Sequence, residues 1–313
     1  REAREAIKFL LKNQNDDGGL PAVNPGDPSA KWTTSQAMII FTSCPYFPSS
    51  YLPYIYKLIQ FLLNSQDKNH GGWPFGSGKI GATITTAYPA IALIRAMKIL
   101  PDSQLKDEIL ETIELGITWL KKRANIDGGR GIEPESTAKG GQISRIYTTF
   151  LAMWALIEHD ENNTQSKEIT NAINFILDAR NEDFGWGNYK NVESDPCNTA
   201  TSIRALLLCK RFSADSPIIK SSIEFIINKQ DKGIWQIMPD YYTLDNTPGQ
   251  TVILGNTLYS ATIALLWTNS NKQMANNIIS WLLKKQNKDG SWYLQSSRKQ
   301  NKNVKMWCTA EYL

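Results

Sequence analysis

Gln286-Asn-Lys-Asp-Gly-Ser-Trp292 sets the architecture, because the pattern recurs along the chain. Weaker copies stand at Gln14-Asn-Asp-Asp-Gly18-Gly-Leu20, Gln66 to Gly71-Gly-Trp73, Asn125-Ile-Asp-Gly128-Gly129, Asn181 to Gly185-Trp186 and Gln230-Asp-Lys-Gly233-Ile-Trp235. Taken at the first glycine, the copies are 53, 57, 57, 48 and 57 residues apart. A sustained period of this kind marks a repeat architecture, each unit one supersecondary element that buries its apolar face against its neighbours. Six near-equal units occupy the 313 residues, so residues 1-313 are expected to form one domain. The start at Arg1 and the stop at Leu313 inside an apolar pattern are expected to mark a fragment of a longer chain, with the last repeat truncated.

Working outward from each turn, the residues before it carry apolar side chains at helical spacing, as in Ile109, Ile113, Ile117 and Leu120, or Ile219, Ile223, Ile226 and Ile227. That spacing gives one buried stripe and one wet face. The residues after each turn are apolar nearly all round, as in Ala87 to Met97, Tyr147 to Leu156, Ile203 to Leu208 and Leu258 to Trp267. Such helices are buried on most sides. The expectation is therefore an all-α fold of twelve helices, an (α/α)6 toroid with an outer ring around an inner one. Thr33-Thr34, Thr85-Thr86, Thr148-Thr149, Thr199, Thr257 and Thr309 stand at the heads of the inner helices, where a hydroxyl is expected to cap the first turn. The turn Gln is expected to bond exposed helix-end groups and the turn Trp to pack over the neighbouring repeat.

Composition excludes several function classes. Lys plus Arg number 34 against 30 Asp plus Glu, and a net charge of +4 without a basic run beside an aromatic platform gives no footprint for nucleic acid. Cys44, Cys197, Cys209 and Cys308 form no CxxC pair, which fits reduced thiols and a cytoplasmic location. No window approaches the roughly 20 apolar residues of a spanning helix. Neither a P-loop, a Rossmann glycine set, Gly-x-Ser-x-Gly nor His-Glu-x-x-His is present, and no cofactor is expected.

The turn motif resembles the Q-x3-G-x-W repeat of squalene-hopene and oxidosqualene cyclases, and the resemblance spans the whole chain. It implies the barrel shared by class II terpene cyclases and protein prenyltransferase β-subunits, and fold alone does not choose between them. In the cyclases an Asp-rich motif, D-x-D-D-T-A, supplies the proton that starts carbocation chemistry. The matching stretch here is Asp195-Pro-Cys197-Asn-Thr199-Ala200, so Asp195 is the implied catalytic residue and Cys197 stands where the proton donor belongs. A thiol with a pKa near 8.5 is a poor donor to an alkene. Trp307-Cys308-Thr309-Ala310-Glu311 echoes the oxidosqualene cyclase stretch Asp-Cys-Thr-Ala-Glu, again with the acid replaced. Read as a prenyltransferase, Asp195-x-Cys197 resembles two ligands of a zinc site, but Gly255 to Ser260 lacks the third-ligand His, so no metal is expected. The plain reading of residues 194 to 200 is a cap and turn. Asp16-Asp17 belongs to a repeat turn rather than to a magnesium motif.

Aromatic residues on the inner helices, Trp32, Tyr88, Tyr147, Trp154, Tyr259, Trp267 and Trp307, are candidates to line a cavity. Arg204 lies inside the apolar run Thr201 to Leu208, where a guanidinium needs a partner: Asp195, Glu193 or the acidic head of a ligand. The ligand-binding set is Trp32, Tyr147, Trp154, Arg204, Tyr259 and Trp307. Two long connections, Arg130 to Ser144 and Gln236 to Gly255, are expected to carry a lid or a docking surface. Two functions stay open: non-catalytic recognition of an apolar, isoprenoid-like ligand or a protein partner, and an active class II cyclase acting on a polyprenyl substrate.

Metal analysis of the purified protein is expected to return no stoichiometric zinc, because the third ligand is missing. One zinc per chain, lost in Cys197→Ala, would overturn this and restore the prenyltransferase reading.

Overall fold

The computed structural model of the chain describes residues 1–43, 49–75, 81–100, 104–132, 143–230, 235, 241–243, 251–253, 257–293 and 306–312. Among them run twelve α-helices: α1 (Glu2–Lys12), α2 (Lys31–Ser43), α3 (Leu52–Asn64), α4 (Thr83–Ile99), α5 (Gln104–Lys122), α6 (Ile146–His159), α7 (Lys167–Asp178), α8 (Pro196–Leu208), α9 (Pro217–Asn228), α10 (Thr257–Thr268), α11 (Lys272–Lys284) and α12 (Met306–Tyr312). A two-stranded antiparallel pair, β1 (Tyr241–Thr243) and β2 (Thr251–Ile253), lies in the second long connection, with Tyr242 opposite Val252. The rest of that connection, and residues 133–142 of the first, lie outside the described residues. The fold is the expected all-α toroid class.

The chain divides into two compact units, one of Arg1–Lys122, Leu282–Gln295 and Lys299–Leu313, the other of Arg123–Trp281 with Ser296–Arg298. In the first, α2 packs between α4 and α12; in the second, α8 packs between α6 and α10. The odd-numbered helices are amphipathic, and α3 buries the stripe Ile55, Leu58, Ile59, Leu62 and Leu63. The even-numbered ones are far more deeply buried, α4 and α8 most of all: every residue of α4 from Thr83 to Ile94, and of α8 from Pro196 to Leu206, is buried. The alternation of half-wet and apolar runs in the sequence thus becomes an alternation of outer and inner helices.

The Gly-turns hold these helices together. Gly18, Gly71, Gly128 and Gly290 take φ near +87° (87°, 86°, 87° and 88°), a left-handed conformation that costs a residue with a Cβ. Each also lies against a backbone carbonyl of the next outer helix. A Cβ at Gly71 would stand 2.5 Å from the Leu115 oxygen on α5, and Gly290 faces Glu5 on α1 in the same way, joining the last repeat to the first within one unit. The turn Gln spans the same contact: Gln66 Nε2 donates to Gly71 O (2.9 Å) and to Thr112 O on α5 (2.8 Å), and Gln286 Nε2 to Gly290 O and Glu2 O (both 2.9 Å). The turn Trp reaches backwards, its indole N–H donating to the outer helix it follows: Trp73 to Leu62 O at 2.8 Å, Trp186 to Ile176 O at 2.6 Å, Trp235 to Ile226 O at 2.7 Å and Trp292 to Leu282 O at 2.7 Å. The Trp73 ring also presses on Gly116 of α5, so it packs over the neighbouring repeat too.

Two expectations are corrected. The recurrent Thr does not cap its own helix. Its hydroxyl accepts the N–H of the residue that leaves the turn: Leu20 to Thr34 (2.8 Å), Trp73 to Thr86 (3.0 Å), Arg130 to Thr149 (2.9 Å), Trp186 to Thr199 (3.0 Å) and Trp292 to Thr309 (2.9 Å). Those N–H groups are buried and belong to no helix, so an unmet donor there would cost more than a frayed helix end. Counting repeat four from Gly185 is also one residue late. The left-handed position is Phe184 (φ 70°), and Gly185 matches Gly19 and Gly129, whose missing Cβ leaves room for Ser29 and Ser144 as Gly185 leaves room for Ser194. The serines fasten the turn: Ser29 Oγ donates to Asp17 (2.6 Å), Ser144 Oγ to Asp127 (2.7 Å) and Ser194 Oγ to Asp183 (2.7 Å). Asp17 therefore serves the turn.

Gly26 has a φ of 89° but nothing within 4 Å of a built Cβ, which separates backbone strain from collision. Gly26→Ala is expected to lower unfolding free energy in urea by about 1 kcal/mol, the strain alone. Gly71→Ala is expected to cost at least about 1 kcal/mol more, because the Leu115 carbonyl must also give way. Equal losses would mean that the carbonyl contact does not hold the repeats.

Candidate functional site

In the second unit, α6, α8 and α10 converge on Arg204. It is the only Lys or Arg on those three helices, and it is 3% exposed. Its guanidinium carbon lies 4.7 Å from the ring centre of Phe150, 5.1 Å from that of Tyr259 and 5.5 Å from that of Trp267. Ring faces attract a cation at this range. Among the described residues Arg204 makes no hydrogen bond and no ion pair, and its Nε is buried without an acceptor. Phe150 is stacked in turn by Trp154, with ring centres 5.8 Å apart, and the Trp154 indole donates to Glu158 Oε2 at 3.3 Å. Trp154 and Tyr259 are half-buried and Trp267 is 47% exposed, so these otherwise buried helices present an open aromatic face.

The partner expected for Arg204 from its own segment is not there. Asp195 caps α8: its Oδ1 accepts the Asn198 backbone N–H and its Oδ2 the Asn198 side-chain amide, each at 2.8 Å. Nine residues of helix separate it from Arg204, about 13 Å along the axis, too far for contact. Glu193 forms no pair with Arg204 either. Cys197, at the proton-donor position, is buried with its Sγ 3.8 Å from Ser260 Oγ on α10. Among the described residues no three His, Cys, Asp or Glu side chains gather in a metal-holding group.

The other candidates scatter. Tyr147 is buried on α6, one turn before Phe150. Trp32, on α2 of the first unit, is half-buried and stacks on Phe75 with centres 5.3 Å apart. Trp307 belongs to α12, and its side chain lies outside the described residues. Of the expected set, the structure brings Arg204, Tyr259 and, through Phe150, Trp154 together. Phe150 carried no signal in sequence beyond its place in an apolar run. The first unit holds a polar cluster that sequence did not single out: Gln36 Nε2 donates to Glu311 Oε1 (3.1 Å) and to Tyr88 Oη (3.4 Å). Burial, with Glu311 beside it, pushes the Cys308 thiol well above its usual range, so it stays protonated. The three described cysteines, Cys197, Cys209 and Cys308, are buried and in no disulfide.

The prenyltransferase alpha-alpha toroid domain profile matches residues 1–158, 144–236 and 236–311. The type II terpene cyclase MstE from Scytonema, in its apo form, is 15% identical, with a TM-score of 0.65 covering 99% of this chain and 95% of that one. A protein from Actinoplanes is 13% identical (TM-score 0.64, covering 99% and 95%). A wild-type glycosidase is 8% identical (TM-score 0.66, covering 99% and 94%). These likenesses are of fold.

Asp195→Asn retains the acceptor that caps α8 and is expected to cost about 1 kcal/mol or less in urea unfolding. A loss of several kcal/mol would show that the carboxylate does more than cap the helix.

Proposed function

The chain belongs to the prenyltransferase alpha-alpha toroid domain family, and from that premise we propose that it binds an apolar, isoprenoid-like molecule without cyclising it. The observation that carries this reading is the guanidinium of Arg204 on the faces of Phe150, Tyr259 and Trp267. A cyclase uses such faces to stabilise a carbocation. Here a permanent cation already occupies them. A second unit charge about 5 Å away would be repelled by about 3 kcal/mol at an effective dielectric of 20. The proton source is missing by the same measure, since Cys197 and Trp307 hold the acid positions and Asp195 spends both oxygens on Asn198.

The half-exposed rings of Trp154, Tyr259 and Trp267 still offer an apolar surface for a ligand chain. MstE has been captured with geranylgeranyl dihydroxybenzoate, in a structure with a TM-score of 0.61 to this chain, which makes a prenyl chain the first probe to try. A cytoplasmic location, with reduced thiols, belongs to the same reading; among the described residues no helix is long and apolar enough to cross a membrane.

Titration with geranylgeraniol is expected to quench tryptophan fluorescence saturably. Incubation with squalene or geranylgeranyl diphosphate is expected to yield no cyclic product by mass-spectrometric analysis. A cyclic product that disappears in Asp195→Asn would overturn the proposal in favour of an active class II cyclase.

A further inference from the structure

We propose that Arg204 is an oxyanion receptor: held between Phe150, Tyr259 and Trp267, its guanidinium binds the carboxylate head of an otherwise apolar ligand. The inference deepens the binding reading above and rests on it for the choice of an isoprenoid tail.

A ring face attracts the positive charge but accepts no hydrogen bond along the guanidinium edge, and an Arg carries five N–H donors in that plane. Arg204 is 3% exposed, its Nε is buried without an acceptor, and the described residues provide none for the donors of its two terminal nitrogens either. A buried cation left in this state is strongly destabilising unless a partner arrives. Among the described residues no carboxylate is that partner; the carboxylate of a ligand would be.

The chemistry of the partner follows from the count of charges. Arg204 is the single Lys or Arg on α6, α8 and α10. A diphosphate carries several negative charges and needs several cations, whereas one planar fork matches one carboxylate through two parallel N–H···O bonds. Stacking orients that fork, because rings lying against the guanidinium leave its edge donors free. The rest of the ligand is apolar, since Tyr259 and Trp267, which hold the fork, are partly exposed, as are Ile263 between them on the same face of α10 and Trp154 stacked on Phe150.

The test measures affinity by tryptophan fluorescence for all-trans-farnesoic acid, farnesol and farnesyl monophosphate, on the full chain and on Arg204→Met and Arg204→Lys. The wild type is expected to bind the acid at least about tenfold more tightly than the alcohol, the range of a charge-assisted bidentate contact. In Arg204→Met the preference is expected to fall within about twofold while farnesol affinity persists; Arg204→Lys, which keeps the charge and loses the fork, is expected to fall between. Circular dichroism checks folding, and Arg204→Gln replaces the Met variant if that one does not fold. Equal binding of acid and alcohol by the wild type, or a preference that survives in Arg204→Met, overturns this proposal and leaves the apolar-binding reading standing. Tighter, Arg204-dependent binding of the monophosphate overturns the carboxylate assignment. If neither isoprenoid binds, the isoprenoid reading fails by itself. Palmitate against hexadecanol then decides: an Arg204-dependent preference for palmitate supports the receptor, and its absence overturns it.

Discussion

The spacing of the hairpins depends, in four of the repeats, on a glycine without a Cβ resting on a carbonyl of the next outer helix. At Gly18, Gly71, Gly128 and Gly290 the approach is too close for any side chain, and the left-handed φ that brings it about is one that glycine adopts freely. The contact fixes the distance between successive hairpins. Turn Gln residues then bridge it, turn Trp residues tie it to the helix before, and Thr hydroxyls tie it to the helix after. One seven-residue turn thus positions three helices, which is why a repeat can be short and still hold its inner helix in register.

The sequence made the repeats, the helix types and their order readable because these arise from local rules: apolar spacing, glycine, and the bulk of Trp. The Thr partners were not readable in this way. Capping is a local pattern, but the N–H that Thr199 accepts belongs to Trp186, 13 residues away. Only the folded chain brings an orphan donor and a hydroxyl together. The cap at Asp195 was readable for the opposite reason, since its partner Asn198 is three residues on.

The candidate site divides along the same line. That Arg204 needed a partner followed from one charge in an apolar run. What met it did not follow, because Phe150, Tyr259 and Trp267 come from two other helices, and two of them sit two turns apart on α10. Tyr259 and Trp267 were legible as aromatic residues on an inner helix. Phe150 was one apolar residue among many in Tyr147 to Leu156. Ring faces replaced the expected carboxylate, a substitution that charge counting cannot anticipate.

Repeat four, which carries Arg204, also has a turn that departs from the rule. Phe184 stands where glycine belongs, and Arg180 where Gln14 and Gln286 stand in their repeats. The two changes compensate each other. Arg180 lies over the rings of Phe184 and Trp186 at 5.2 and 5.3 Å, and donates to Ser221 Oγ at 2.7 Å and Ser222 Oγ at 3.1 Å on α9. Ser222 in turn donates to the Phe184 carbonyl at 2.8 Å. A left-handed phenylalanine is strained, yet here its carbonyl, its ring and the cation above it are all engaged, so the link to α9 persists without glycine. The same pairing of guanidinium and ring face therefore acts twice in one repeat. In the turn, Arg180 completes its contacts with hydroxyls and carbonyls; inside, Arg204 has only the rings. The first arrangement is a structural joint. The second has every element of that joint except the acceptor, and the proposed carboxylate contact at Arg204 rests on that difference.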